Sequence, residues 1–561
     1  MEMGIFLSII VVVLVIAQIS SIINGKRQEE WLRASFKKNY GKRPTKKYNG
    51  NQMDHVPGYF EAHKSESSID DITWNDLELD DIYQRINYCM SASGEEYLYY
   101  SLRNPELSDE ELGHLEEQVS FLKENEDNRI NLQLIFAKIG MSSKYSIYEY
   151  LKFLNTLGKR SNALHFMMLC FLVIAIIEMF ISFEVGFLFL IFVVVFNIIT
   201  YYKSKNQTDP YLTTFAYIMR VVSYSDRFDA FKDSPFSKEI LELKEAAAKM
   251  KPFLRGSWVL MSPSRGANTG NPADLLVDYI RILTHIDIIK FNQMYGEVLK
   301  NTEAIDTMFT NIGKIDTAVS VCCFRACLEK ENGFCVPEFK EGNVFNIEEG
   351  YHPLISNPVV NSFRTDKGLL LTGSNASGKS TFLKTCAINA ILAQAIHTCT
   401  AKSYASSKFR IYTSMALRDD LGGADSYYIV EIKSLKRILD AAKMEGKPIL
   451  CFIDEVLRGT NTIERIAASA QILKSFTQMN VLCFAATHDV ELNDLLKDKL
   501  SIYHFAGEVT DNDVHFDYLL HEGPATNRNA IKLLDIIGYD KEITREAEAL
   551  AERFIEKGVW I

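Results

Sequence analysis

Two long runs of apolar residues interrupt an otherwise mixed pattern of hydrophobic and polar positions. The first, residues 4–23, contains no charged residue, and twenty helical residues at about 1.5 Å each extend about 30 Å, the thickness of a bilayer core. The second, residues 163–202, is broken only by a short stretch at residues 182–186, as expected for two spans joined by a tight turn. The pattern predicts three membrane-spanning helices, one near the N-terminus and two in a hairpin.

A cleaved signal peptide is the alternative for the first run. Such a peptide has positive residues before its apolar segment and a small-residue cleavage site after it. Here the basic residues follow the run. This order favours a membrane anchor.

Elsewhere the apolar residues follow helical and then strand periodicity. In residues 70–162 and 203–335 they recur at steps of three and four, which predicts amphipathic helices. From about residue 336, short apolar runs alternate with helical segments, which is typical of a parallel sheet flanked by helices. The predicted fold is a C-terminal α/β domain, preceded by an all-α region that the transmembrane hairpin interrupts.

The chain of 561 residues carries 61 Lys and Arg against 72 Asp and Glu, a net charge of −11. Because non-specific DNA affinity comes mainly from Lys and Arg, a surface that is basic throughout is excluded, and any DNA contact must be local. Residues 24–50 are the exception, with nine basic residues against two acidic ones. Their place beside the first span predicts a juxtamembrane tether that contacts anionic lipid, with DNA as the alternative partner.

Basic residues also flank the hairpin, with Lys159 and Arg160 before it and Lys203 and Lys205 after it. The positive-inside rule therefore places both outer ends of the hairpin in the cytoplasm and the N-terminus outside. We expect a multi-pass protein of the bacterial inner membrane whose large soluble parts are all cytoplasmic. Glu178 lies inside the second span, where it is either a functional residue or one close enough to the outer end to reach the membrane surface.

A phosphate-binding motif follows a short apolar strand at Leu369–Thr372. The next eight residues, 373–380, match G-x-x-x-x-G-K-[ST] and lead into a predicted helix. In this motif backbone N–H groups and the helix N-terminus hold phosphate oxygens, while Lys379 reaches the β and γ phosphates and Ser380 ligates Mg²⁺. The predicted nucleotide-binding residues are Gly373, Ser374, Asn375, Ala376, Ser377, Gly378, Lys379, Ser380 and Thr381. ATP and Mg²⁺ are the expected substrate and cofactor of a P-loop NTPase domain.

Two later apolar strands end in side chains suited to ATP hydrolysis. One strand is followed by Asp454 and Glu455, and the other by His488. Because the carboxyl ends of parallel strands meet at one edge of a sheet, these residues are expected beside the phosphate loop. We predict that Asp454 holds Mg²⁺, Glu455 polarises the attacking water, and His488 senses the γ phosphate or orients that water. The predicted catalytic residues are Lys379, Glu455 and His488.

These motifs resemble those of the ATPase domain of the MutS family of DNA mismatch-repair proteins. The resemblance runs from about residue 349 to about residue 539. Its elements are the phosphate loop including Asn375, a dimer signature loop at residues 419–431, a second motif at residues 454–462 and a switch histidine at Ala486-Thr487-His488. Weaker similarity to the core and lever helices of the family covers residues 75–155 and 210–330.

The resemblance implies a homodimeric ATPase with composite sites, in which Ser426 of one subunit reaches the nucleotide of the other. It also implies a link to DNA. Three residues depart from the family pattern, because Leu457 stands where the family has Gly, Asp425 where Arg is usual, and Tyr427 where Thr is usual. No aromatic residue suited to stacking on adenine is evident near residues 358–361.

Mismatch recognition itself is not expected, since only an anchor and a basic tether precede the helical region and no Phe-x-Glu reading wedge is apparent. Two functions stay open. One is a membrane-anchored MutS-type ATPase that switches lever helices on DNA, and the other is an ATP-gated membrane scaffold that acts on a protein and has no nucleic-acid role. A transporter ATPase is less favoured, because three spans are few for a pore and no L-S-G-G-Q element precedes Asp454.

The predicted organisation has six parts. They are a transmembrane anchor (1–23), a basic juxtamembrane tether (24–69), a helical core-like region (70–162), a transmembrane hairpin of two helices (163–202), a helical lever or core-like region (203–335) and a MutS-type ATPase domain (336–561).

Overall fold

The computed structural model describes the chain in segments separated by short gaps. The described residues are 2–46, 48, 53–142, 145–257, 260, 279–373, 377–415, 427–458, 460–509, 514–525, 530–557 and 560. The helices before the first strand are α1 (Glu2–Asn39), α2 (Gly58–His63), α3 (Asp71–Asp76), α4 (Leu79–Ile86), α5 (Ala92–Arg103), α6 (Asp109–Glu124), α7 (Glu126–Ile139), α8 (Ile147–Thr156), α9 (Ala163–Ile181), α10 (Phe183–Thr208), α11 (Leu212–Tyr224), α12 (Ser237–Lys249), α13 (Lys251–Leu254), α14 (Ile286–Lys300) and α15 (Thr302–Lys330).

Polar residues define where several of these helices begin. The side chains of Asp70, Ser91 and Ser108 each accept a backbone N–H from the first turn of α3, α5 and α6, respectively. At α6, Glu111 also accepts from the backbone of Ser108, which completes a capping box.

Helices α9 and α10 form a tight hairpin. A Cβ atom at Gly186 would lie 2.3 Å from the backbone nitrogen of Met179, so glycine is what lets the two helices approach at the turn. Within the described part of the chain, these are the two helices that are long and apolar enough to cross a membrane. Helix α10 extends to Thr208, beyond the predicted end of the hairpin. Helix α1 is continuous, and the span within it at residues 4–23 stays a prediction.

The basic segment 24–50 packs against helices outside the hairpin. Helix α1 runs through the segment to Asn39 and contacts α7. Four of the eight basic residues that the structure describes in this segment have carboxylate partners within the protein. These pairs are Arg33 with Glu29 (3.4 Å), Lys37 with Glu126 (2.9 Å), Arg43 with Glu331 (2.7 Å) and Lys46 with the buried Glu95. This segment is therefore held by specific contacts and is not a free tether along its described length.

The helices on both sides of the hairpin share one core. Helix α15 lies at its centre and packs on α5, α6 and α12. The fully buried Asp316 of α15 accepts hydrogen bonds from the backbone nitrogens of Met90 (3.1 Å) and Ser91 (2.8 Å) at the start of α5. Residues 70–162 and 203–335 are thus parts of a single packed unit.

The C-terminal region alternates strands and helices. Its strands are β1 (Glu338–Phe339), β2 (Phe345–Gly350), β3 (Asn361–Thr365), β4 (Leu369–Thr372), β5 (Ser403–Ser406), β6 (Arg410–Ser414), β7 (Ile449–Asp454), β8 (Val481–Thr487), β9 (Ser501–Val509) and β10 (Val514–Glu522). Its helices are α16 (Lys379–Ile396), α17 (Tyr427–Ala442), α18 (Thr462–Phe476), α19 (Glu491–Leu496), α20 (Ala530–Ile537) and α21 (Lys541–Lys557).

Six strands form the larger sheet in the order β10-β9-β4-β8-β7-β6. The five strands from β9 to β6 are parallel, whereas β10 pairs antiparallel with β9, so the sheet is mixed. A smaller sheet has the order β1-β5-β2-β3. In the larger sheet one face packs in the same core as α16, and the other packs with α17 and α18. Because β4, β8 and β7 are neighbours, the residues that follow them meet at one edge.

Candidate nucleotide-binding site

The phosphate-binding loop connects β4 to α16. Gly373 and Gly378 have φ angles of 145° and 107°, and a Cβ atom at Gly373 would lie 2.8 Å from the carbonyl oxygen of Phe505. Both positions therefore favour glycine. The buried Lys379 donates from Nζ to the carbonyl oxygen of Gly373 at 2.8 Å. Burial lowers the pKa of the Lys379 ammonium, so a group that brings negative charge is favoured beside it.

Ser380 and Asp454 meet across the start of α16. Ser380 Oγ donates to Asp454 Oδ2 at 2.5 Å. Burial raises the pKa of Asp454, which indicates that the charged carboxylate lacks sufficient positive charge around it. Hydroxyl and carboxylate oxygens are ligands that Mg²⁺ prefers, and its sites commonly use one or two protein groups together with phosphate oxygens. The two residues therefore fit the predicted metal.

Glu455 is held on both carboxylate oxygens. His488 Nε2 lies 2.9 Å from Oε1, and Arg458 Nε lies 2.7 Å from Oε2. The hydrogen bond from His488 is the largest influence on this carboxyl and lowers the pKa of Glu455, so the group stays charged. Arg458 is the more exposed of the two partners. The sequence predicted Glu455 and His488 in the site, whereas Arg458, although part of the second motif, was given no role because its charge alone does not reveal its partner.

The turn after β7 gives Glu455 an unusual backbone. Glu455 and Leu457 have φ angles of 62° and 58°, in the left-handed region. The buried Glu431 of α17 accepts hydrogen bonds from the backbone nitrogen of Arg458 at 3.2 and 3.0 Å, and burial raises the pKa of Glu431. Glu431 thus fixes the turn that presents Glu455, a role that the sequence pattern did not predict.

A pocket of about 290 Å³ lies beside the phosphate loop. It is lined by Gly350, His352, Ile355, Asn357, Pro358, Val359, Asn361, Gly378, Thr381, Phe382, Thr385, Phe505 and Tyr518. The size and the apolar and aromatic lining suit a planar base. The aromatic rings are those of Phe382, Phe505 and Tyr518. They come from distant elements, so the sequence near residues 358–361 does not reveal them. Asn361 connects the two regions, since its Nδ2 donates to the carbonyl oxygen of Tyr518 at 3.0 Å.

Some predicted site residues lie outside the described residues. These are Ser374, Asn375 and Ala376 of the phosphate loop and Ser426 of the dimer signature loop, together with Asp425. Helix α17 begins at Tyr427, directly after that loop. The strands before the two gaps, β4 and β6, run parallel to β7 and β8 and therefore end at the same edge of the sheet as Asp454 and His488.

Comparison with known proteins finds similarity over the C-terminal region. Residues 369–555 match MutS domain V. The DNA mismatch repair protein MutS of Aquifex pyrophilus is 30% identical over 283 residues, which cover 48% of this chain and 32% of that protein. MutS of Lactobacillus acidophilus is 29% identical over 289 residues, covering 49% and 33%, and MutS of Thermus thermophilus is 30% identical over 224 residues, covering 39% and 27%. The alignments span about a third of the length of these relatives.

The matches show similarity to a MutS ATPase domain over residues 369–555. The MutS domain V match contains Lys379, Ser380, Asp454, Glu455 and His488. MutS domain V is a P-loop ATPase domain, and the strand order and phosphate loop described above agree with that architecture. The helical region and the hairpin lie outside the match.

Proposed function

We propose that this chain is a membrane-anchored MutS-type ATPase that binds and hydrolyses ATP as a dimer and uses the cycle to switch its helical levers. The observation that carries the proposal is the convergence of Lys379, the Ser380–Asp454 pair and Glu455 at one edge of the sheet. When bound, Mg²⁺–ATP supplies a phosphoanhydride that water can attack. No other described cluster has this combination of a phosphate loop, a metal-binding pair and a general base.

Each residue has a separate role in this proposal. Lys379 brings positive charge to the phosphates, and Ser380 and Asp454 hold the metal. Glu455 orients the attacking water, which requires one of its oxygens to be free. Arg458 is the more exposed partner, and Glu455 releases it when the water binds. His488 keeps the carboxylate in position.

Three membrane helices would anchor the dimer, namely the span at residues 4–23 and helices α9 and α10. Ser426 would reach the nucleotide of the other subunit, as the family resemblance implies. Because the relatives are DNA mismatch repair proteins, duplex or branched DNA is the first ligand to test.

An ATP-gated scaffold that acts on a protein is the second candidate. The pairing of four basic residues in segment 24–50 favours it, because those residues are less able to bind phosphates of either DNA or lipid. Measuring ATP turnover of the full chain in nanodiscs with duplex, branched and mismatched DNA separates the candidates. Stimulation by any of these DNAs supports the first, and unchanged turnover supports the second.

The ATPase assignment is tested by Lys379→Ala and Glu455→Gln in the full chain. We expect Lys379→Ala to abolish binding of a fluorescent ATP analogue, since it removes charge from the phosphate site. Glu455→Gln should still bind the analogue but lose about 100-fold or more in turnover, since it loses the base. The exposed Glu464→Gln is the matched control and should behave as the parent. Equal loss of binding in Lys379→Ala and Glu455→Gln would contradict the separate roles.

A further inference from the structure

Two free cysteines face each other where the segment after α15 meets the segment after α16. Cys335 and Cys399 form an antiparallel β-bridge, in which the backbone nitrogen of Cys335 donates to the carbonyl oxygen of Cys399 at 3.0 Å and the reverse hydrogen bond is 2.9 Å. Residues paired in this way have Cα atoms about 5.5 Å apart and side chains on the same side of the ladder. The Cα atoms of a disulfide are about 4.4–6.8 Å apart. The backbone therefore holds the two residues at the separation that a disulfide needs.

The two thiols differ in access to solvent and in acidity. Cys335 is partly exposed, whereas Cys399 is fully buried. A hydrogen bond from the Cys399 thiol lowers the pKa of Cys335, while burial raises the pKa of Cys399. Cys335 is therefore the residue that forms a thiolate more readily and that a solute can reach. An accessible cysteine with a lowered pKa beside a second thiol is typical of redox-sensitive pairs.

The pair lies at the junction of the helical core and the ATPase domain. Cys335 comes five residues after the end of α15, and Cys399 comes three residues after the end of α16. Arg325 of α15 already contacts this junction, since its Nε donates to Thr398 Oγ1 at 2.9 Å. A bond between the two sulfur atoms would therefore connect the end of a central core helix covalently to the end of the nucleotide helix.

We propose that Cys335 and Cys399 are a modification site for hydroperoxides, at which oxidation forms a reversible disulfide between them. In the first step the Cys335 thiolate attacks a peroxide oxygen, the O–O bond breaks, and the leaving hydroxide takes up a proton to become water. In the second step the sulfur of Cys399 attacks the sulfenic acid of Cys335, and the hydroxyl group leaves as water with the Cys399 proton. The two thiols lose two electrons and two protons, and one hydrogen peroxide becomes two molecules of water. A thiol reductant reverses the reaction by exchange at the partly exposed Cys335 sulfur.

The disulfide is expected to slow ATP turnover, an expectation that rests on the proposed function. Helix α16 begins at the phosphate loop and ends three residues before Cys399. A covalent link at that end would restrain any movement of α16 relative to α15 during the ATP cycle. Oxidation at Cys335 would thus regulate the ATPase from outside the nucleotide site.

A second pair of neighbouring cysteines provides a control within the same chain. Cys451 of β7 and Cys483 of β8 are register partners in the larger sheet. They are 0% and 2% exposed, so a peroxide cannot reach either thiol while the sheet is folded. We therefore expect this pair to stay reduced under conditions that link Cys335 to Cys399.

The test treats the full chain in nanodiscs with a small excess of hydrogen peroxide, blocks the remaining thiols with N-ethylmaleimide and maps linked peptides by mass spectrometry without reductant. We expect a peptide linked through Cys335 and Cys399 that dithiothreitol removes, and no peptide linked through Cys451 and Cys483. Cys399→Ala should stop at the sulfenic acid. Dimedone should then label Cys335 in that variant about tenfold or more above its labelling of Cys399 in Cys335→Ser.

ATP turnover is measured on the same samples. Turnover of the oxidised parent should fall several-fold and recover with dithiothreitol, whereas Cys335→Ser should keep its rate in peroxide. Unchanged turnover in a fully linked parent would show that the disulfide does not restrain the helices. Because peptide mapping requires no ATPase activity, it decides the modification site even if the chain hydrolyses no ATP.

Three results would overturn the modification site. The first is the absence of a peptide linked through Cys335 and Cys399 in the peroxide-treated parent. The second is linkage of Cys451 to Cys483 at the same rate, which would show that oxidation follows unfolding. The third is equal dimedone labelling in the two variants, which would exclude Cys335 as the preferred site of attack. If Cys399→Ala fails to fold, linkage in the parent and its loss in Cys335→Ser decide the question.

Discussion

At the scale of single residues, Leu457 combines a favourable side chain with an unfavourable backbone. Its φ of 58° costs an L-residue about 1–2 kcal/mol relative to glycine. Its side chain is 3% exposed and packs in the core on the α17 and α18 face of the sheet. Removing a buried leucine side chain costs about 2.7–5 kcal/mol. Packing therefore exceeds strain, which explains how leucine is tolerated at this left-handed position.

This balance predicts the effects of two substitutions. We expect Leu457→Ala to lower the free energy of unfolding by about 3 kcal/mol, and Leu457→Gly to lower it by about 1 kcal/mol less than alanine does, because glycine relieves the backbone strain. Denaturant unfolding of the full chain measures both values. A glycine variant that is less stable than the alanine variant would show that the left-handed backbone at this position is not strained.

At the scale of elements, periodicity and motif spacing predicted most of the architecture. The two apolar helices of the hairpin, the helical region and the strand-loop-helix of the phosphate site each follow from local sequence. Local sequence does not show which residues pair over long separations. Examples are the ion pair of Arg43 with Glu331 and the hydrogen bond from the backbone nitrogen of Arg458 to Glu431. The aromatic rings that line the pocket beside the phosphate loop were not predicted for the same reason. Side chains that meet only in the folded chain leave no periodic signal.

Glu95 holds the end of the basic segment in place. It accepts hydrogen bonds from Lys46, Tyr48 and Asn87, and His55 Nε2 lies 3.8 Å away. Burial alone would raise the pKa of Glu95, but His55 and Lys46 lower it to about 2. Because this value lies below the usual 4.5, the stabilisation from Glu95 is present above pH 4.5 and is lost as the pH falls towards 2.

We therefore predict that Glu95→Gln releases the end of the basic segment at neutral pH. Trypsin should then cut after Lys42 or Lys46 several times faster in the full chain, since local opening exposes these bonds. Exposed Glu30→Gln is the control and should leave the cleavage rate unchanged. In strong acid the parent and the Glu95 variant should be cleaved at similar rates. An acid protease that acts on both proteins measures this. Unchanged cleavage in Glu95→Gln would mean that other contacts hold the segment.

At the scale of the whole molecule, the ATPase and helical parts are joined at the C-terminal end of α16. Arg325 of α15 contacts Glu116 of α6 with two nitrogens at 2.8 Å and donates to the carbonyl oxygen of His397 at 2.7 Å. His397 is the C-cap of α16, the helix that begins at the phosphate loop. A shift of α16 during the ATP cycle would therefore reach α15 and α6 directly. This contact supplies a physical path for the proposed lever movement.

The shared helical core also determines which pieces of the chain can fold. Leu98 and Leu102 of α5 are fully buried in the same core as α15, and Asp316 and Arg325 of α15 depend on partners in residues 70–162. A fragment of residues 203–561 would expose this apolar face of α15 to water and remove the partners that residues 70–162 give to Asp316 and Arg325, which destabilises strongly. We predict that this fragment alone shows no cooperative thermal unfolding in detergent. Co-expressed fragments 1–182 and 183–561, split at the turn of the hairpin, should copurify and unfold cooperatively, because both halves of the core are then present. A fragment 203–561 with the unfolding temperature of the full chain would show instead that the ATPase part and α15 fold without the first half.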